Sequence, residues 1–197
     1  MSDSEQVITD TVAWLERAVI GLNLCPFAKS VHVKGLVHYA VSQATSPKAV
    51  LNDLVFELKS LAALDEKARD TTLLIVPRCL HDFLDFNDFL ARADRALVKL
   101  GLDGVLQIAS LHPQYQFADT EADDITNFTN RSPYPTLHLL REDSIDRAVA
   151  AFPNPEAIFE TNMQTLRDLG LAGWTALKVG PSAGPAVASS GHDQTKT

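Results

Sequence analysis

The run Thr71 to Val76, TTLLIV, constrains the fold more than any other feature of the chain. It is continuously apolar after two threonines, and Pro77 stops it. A run this short bounded by a breaker fits a strand rather than a buried helix, and unbroken apolarity marks a strand covered on both faces. Such a strand calls for helices on two sides of a sheet, and the rest of the sequence supplies them.

Val7 to Leu22 sets Ile8, Val12, Leu15, Val19 and Leu22 on one helical face, with Gly21 and Asn23 at its end. Leu36 to Val41 reads as a strand. Ser46-Pro47 is an N-cap followed by proline at the first helical position, and the helix it opens turns Val50, Leu51, Leu54, Val55, Leu58 and Leu61 inward. Asp82 or Asp85 caps a helix reaching Leu100, with Phe86, Phe89, Leu90, Ala93, Leu97 and Leu100 inward and Gly101 as its stop. Val105 to Leu111 and Thr136 to Leu140 are two further strands. Ser144 caps a short helix to Ala151, and Asn154-Pro155 opens a last helix that stops at Gly170.

The order α-β-α-β-α-β-loop-β-α-α predicts an α/β fold: a single-domain sandwich with a mixed sheet of about four strands flanked by helices. Helices between strands imply right-handed parallel crossovers. The fourth strand has no helix before it and is the one expected to run antiparallel. The domain spans residues 1–177. Residues 178–197, rich in Gly, Pro and Ser, read as a disordered tail.

With 197 residues, 46% hydrophobic and 21% charged, the chain is long enough for one real core. A net charge of -8, with no run of Lys or Arg, argues against nucleic acid and against an anionic membrane surface as partners. No leader-like opening and no membrane-length apolar run is present. The expected location is the cytoplasm, with Cys25 and Cys79 as reduced thiols.

Leu111 to Leu140 breaks the pattern. A long connection leaves the carboxyl end of a strand, where open α/β sheets place ligands. It carries His112, Tyr115, Asp123, Asp124, Asn127, Asn130, Arg131 and Tyr134, with Pro113, Pro133 and Pro135 stiffening its ends. His112, a residue type that titrates near neutrality when unperturbed, is the candidate general acid/base. Arg131 is the candidate clamp for a carboxylate or phosphate, and Arg141 a second charge beside it. Tyr115, Asn127, Asn130 and Tyr134 would shape the pocket. The alternative for these groups is a solvated flap whose Asp and Asn residues make turns, with Arg131 ion-paired to Asp123, Asp124 or Glu142.

His138 shares a strand face with Thr136 and Leu140, opposite Leu137 and Leu139; it is either part of the site or a satisfied residue of the sheet. His38, beside Leu36 and Ala40, carries the same two readings. Cys25, in NLCPFAK, precedes a proline that can begin a helical turn; a thiol at a helix N-terminus is a candidate nucleophile, and a free cysteine is otherwise a small core residue. No zinc spacing occurs. His112, His138 and an acid from Asp123 or Asp124 could make a two-histidine-one-carboxylate site, with no HxH or HExxH spacing to support it.

Three strings occur together: GLNLCPFAK, HPQYQF and NRSPYPTLHLLREDSIDRAV. With them the chain resembles an uncharacterised, mostly bacterial family known as domain of unknown function 1415, over Val7 to Leu177. The resemblance implies one whole domain and directs attention to Cys25, His112, Asn130, Arg131 and His138. It implies no reaction. The residues themselves point to an enzyme acting on a small anionic metabolite through a His/Arg site in 111–140, or to a noncatalytic small-molecule or protein-binding domain.

Overall fold

The computed structural model describes residues 2–150, 154 and 157–182. Of the expected disordered tail 178–197, residues 183–197 lie outside the described residues, as does the proline expected to open the last helix, Pro155.

Helix α1 (Asp3–Trp14) starts earlier than its apolar periodicity suggests, because Ser2 and Glu5 form a capping box. It runs into a π-helical segment, Leu15–Ile20. Within it Leu15, Ala18 and Val19 are buried. A short helix that the periodicity did not reveal, α2 (Ala28–Val33), leads into β1 (Val37–Val41). Helix α3 (Pro47–Ala63) is capped by Ser46 as expected. Then come β2 (Thr71–Ile75), α4 (Phe83–Lys99) with Asp82 as its cap, and β3 (Leu106–Leu111).

After the long loop, β4 (Thr136–Arg141) passes directly into α5 (Glu142–Ala150). Ser144 lies inside α5 and donates to Asp70 instead of capping the helix. The last helical stretch, α6 (Ala157–Ala176), is broken at Gly170, whose φ of 61° and ψ of 174° are not helical. The glycine stop is where the sequence puts it, but the chain then resumes helix and brings in Trp174.

The sheet order is β1-β2-β4-β3. β1 and β2 are parallel, and β4 is antiparallel to both of its neighbours. β2 is buried at every position, as its unbroken apolar run requires. Leu74, Leu137, Leu139 and Leu106 face α3 and α4, and pack with Val50, Leu54, Leu58, Leu61, Phe86, Phe89, Ala93 and Leu97. Each fully buried leucine contributes about 1.5–3 kcal/mol. On the other face, Leu73 and Ile75 meet Val7 of α1. Beyond them Trp14, Leu15, Ala18 and Val19 gather Cys25, Leu111, Trp174 and Leu177. Among the described residues, no helix is long and apolar enough to cross a membrane.

Candidate functional site

Because β1, β2 and β3 point the same way, their carboxyl ends deliver three connections to one rim: 42–46, 76–82 and 112–135. The last of these is the loop singled out by the sequence.

His112 begins it, and its side chain turns inward. The residue is fully buried. Its Nδ1 accepts the Gln114 N–H at 3.0 Å, and its Nε2–H donates to the Leu80 carbonyl at 3.1 Å. The ring lies between Phe83 and Phe86, with centroids 5.4 and 5.0 Å away. Burial pushes its pKa down, against the upward pull of the Leu80 carbonyl. Both nitrogens are therefore occupied and the ring is neutral. The expected general acid/base has no free nitrogen here; the strand-end bond to a carbonyl is the arrangement found. The acceptor is notable, since Leu80 sits at a φ of 58°, a left-handed conformation that costs a non-glycine residue about 1–2 kcal/mol.

The polar residues of the loop mostly bond one another. Asn127 is fully buried; its Oδ1 accepts from the Phe117 N–H and the Thr120 hydroxyl, and its Nδ2 donates to the Glu121 carbonyl. Asp124 accepts from the N–H and hydroxyl of Thr126 and so caps the 3-10 turn Ile125–Asn130. Those bonds hold its carboxyl below the usual range. Asn130 contributes its carbonyl to the His112 N–H. Tyr115 packs its ring on Phe83 and Phe117. Turn-making Asn and Asp side chains thus account for much of what looked like a pocket lining, and Asn127 is fully buried with its Oδ1 accepting two bonds and its Nδ2 tied to the Glu121 carbonyl.

Arg131 differs. Its guanidinium lies 4.3 Å from the centre of the Phe128 ring, which in turn meets Trp174 edge-on. Nε donates to the Tyr115 carbonyl at 3.1 Å and Nη2 to the Ala122 carbonyl at 2.6 Å. Burial alone lowers its pKa. The ion pairs expected as the alternative, with Asp123, Asp124 or Glu142, do not form among the described residues. A carbonyl takes up an N–H but does not neutralise the charge.

The remaining candidates stand elsewhere. Arg141 donates to the carbonyls of Leu61, Leu64 and Arg69, closing the carboxyl end of α3, so it is not a second charge beside Arg131. His138 is held on β4 by the Thr71 hydroxyl, 2.7 Å from its Nε2. That hydroxyl also donates to the Leu139 carbonyl, so Nε2 carries the proton. Burial pushes the His138 pKa down to about 4. His38 lies 3.8 Å from Glu57, which also pairs with Arg69. Cys25 is half-buried beside the Trp14 cluster. Helix α2 begins at Ala28 and not at Pro26, so the thiol is not at the helix N-terminus; the Cys25 carbonyl accepts the Ala28 N–H. The trio of His112, His138 and an Asp does not assemble, since both His112 nitrogens are committed inside the loop base.

Sequence reasoning missed Asp10. It is buried on the inner face of α1 and accepts from the Tyr134 hydroxyl at 2.7 Å, from Gln6, and from the Ser182 N–H and hydroxyl. Burial pushes its carboxyl up, but bonds from Ser182, Tyr134 and Gln6 outweigh that and hold it low. Tyr134, assigned to the pocket, is thus half of a latch between the loop and α1. The signal was available: an acid at helical spacing between Val7 and Trp14, on the face that also buries Thr11.

A second cationic place lies on α4. A groove of about 360 Å³ between α3 and α4 carries Arg92, Arg95 and Lys99 over Leu51 and Val55. A family model described as "Protein of unknown function (DUF1415)" matches residues 6–176. No curated protein and no solved structure matches the chain.

Proposed function

The chain belongs to that family of unknown function, DUF1415, and from this premise we propose that it binds a small anionic molecule with Arg131 as receptor. One observation carries the reading: a half-buried guanidinium, seated on an aromatic ring and bonded only to carbonyls, in a chain with 25 acidic residues and a net charge of -8. Removing an unneutralised cation from water is costly. A carboxylate or phosphate on its remaining N–H groups restores the balance through charge-assisted bonds. Binding without catalysis is favoured over the His/Arg enzyme, because His112 has both nitrogens engaged.

The test is thermal shift and calorimetry with phosphate, pyrophosphate, citrate, nucleoside phosphates and short-chain carboxylates. A binder at one hundred times its Kd stabilises by about 2.7 kcal/mol. Arg131→Met is expected to abolish binding in the folded fraction, Arg131→Lys to weaken it, and Arg95→Glu in the α3–α4 groove to leave it intact. Binding that survives Arg131→Met, or is lost with Arg95→Glu alone, sinks the proposal.

A further inference from the structure

We propose that two copies of the chain pair through the free edge of β1, antiparallel and centred on Tyr39, joining two four-stranded sheets into one. This surface is separate from the Arg131 site, and the inference does not rest on the anion-binding reading.

β1 is an outer strand with β2 on one side only. The Leu36 carbonyl accepts from Asp70 and Thr71, and the Ser42 N–H donates to Ile75. By the alternation of a parallel ladder, residues 38 and 40 also face β2, and Val37, Tyr39 and Val41 turn N–H and C=O outward. No turn, cap or loop bond among the described residues satisfies them. An edge left open in this way is normally blunted by charge, proline or a bulge. Val37 to Val41 has no charged residue of fixed sign and no proline, and its register against β2 is unbroken.

The sequence of the edge selects the occupant. In Val-His-Tyr-Ala-Val the outward residues are symmetric about Tyr39, with a valine two places to either side, while His38 and Ala40 turn their backbone groups to β2. An antiparallel pair centred there sets Val37 of one copy against Val41 of the other, and Tyr39 against Tyr39. All three outward residues then pair, giving about six backbone hydrogen bonds. The twofold axis is perpendicular to the sheet, so α3 of both copies stays on one face.

Along the edge on that face runs a groove of about 480 Å³ between β1, its continuation Ser42–Ala44, and α3. Phe56 on its lip is 68% exposed, and the axis brings the two Phe56 rings toward each other across the seam. A foreign strand would meet the same hydrogen-bonding edge, but only a second copy uses its symmetry and covers both phenylalanines.

The test is sedimentation of the full chain over a concentration series, with hydrogen exchange read at Val37, Tyr39 and Val41. The expected species has twice the 21.5 kDa chain mass, and those three amides gain protection as it forms. Val41→Pro removes an N–H that a single copy leaves unbonded, and is expected to raise the dissociation constant at least tenfold. Phe56→Asp, at an exposed position, is expected to weaken pairing without lowering monomer stability. A monomer at every concentration overturns the proposal, as does a dimer in which the three amides stay unprotected. Protection that is independent of concentration and disappears when the chain is stopped after Ser182 also overturns it, since residues 183–197 would then be the occupant.

Discussion

The Nε2–H of His112 donates to the carbonyl of Leu80 at 3.1 Å, tying the exit of β3 to the strained turn that leaves β2. This bond makes His112 a brace between two loops of one rim. His112→Ala removes a buried donor, leaves the Leu80 carbonyl unpaired and opens a gap between Phe83 and Phe86. The expected loss is about 2–4 kcal/mol, read from denaturant midpoints. Affinity for the anion in the surviving folded fraction should be unchanged. A variant as stable as the parent would show that the brace carries no load.

His138 gives a pH signature. Its pKa is lowered by burial from 6.5 to about 4, so the unfolded chain takes up a proton there before the native protein does. Stability is therefore complete above about pH 6.5 and falls as pH drops toward 4. His112 and His38 are shifted in the same direction and add to the slope. NMR titration of the ring protons is the check: His138 should stay neutral at pH 5.5, and a midpoint near 6.5 would contradict its enclosure.

Asp10 acts lower on the scale. Its native pKa is depressed below 3.8, so its contribution is present above that value and is lost as pH falls through the depressed one. Asp10→Asn should flatten this acid limb and lower stability at neutral pH.

The same latch bears on the carboxyl-terminal segment. Val179 packs on the Trp14 cluster and Ser182 bonds Asp10, so contacts run past residue 177. Stopping the chain after Ser182 should leave the Tm unchanged. Stopping it after Leu177 should cost about 1–3 kcal/mol, or several degrees. Equal melting of the two would remove the latch from the account.

Gly170 invites a misleading substitution. Alanine normally favours a helix by about 1 kcal/mol over glycine. Here φ of 61° with ψ of 174° is a conformation essentially confined to glycine, although nothing crowds the position. Gly170→Ala is expected to destabilise by about 1–3 kcal/mol and to disturb Trp174 against Phe128, visible in tryptophan fluorescence.

The sheet and its order of elements were legible because apolar periodicity and caps are local signals. Thr71–Val76 announced the central strand, Ser46-Pro47 and Asp82 the starts of two helices, and the absence of a helix before Thr136 the antiparallel strand. The π-helical segment and α2 were not legible, since neither has a cap or a period of its own. The site was harder, because the same residue types serve ligands and turns. Read from the sequence, Asn127 and Arg131 belong to one pocket, Asn127 to shape it and Arg131 to clamp the anion. Their partners separate them: three bonds that hold a buried amide inside the loop, against two carbonyls that leave a charge standing.

Among the described residues β4 is the last strand to be synthesised, yet it lies between β2 and β3. Until residue 141 has emerged, β3 has no neighbour, and β2 exposes an apolar edge where β4 will insert. The nascent chain must therefore hold two open edges apart through the whole length of the 112–135 loop, a situation that favours aggregation over productive pairing. The loop's internal bonds and the His112 brace then have a kinetic meaning. Formed before the strand arrives, they would shorten the search that closes the sheet.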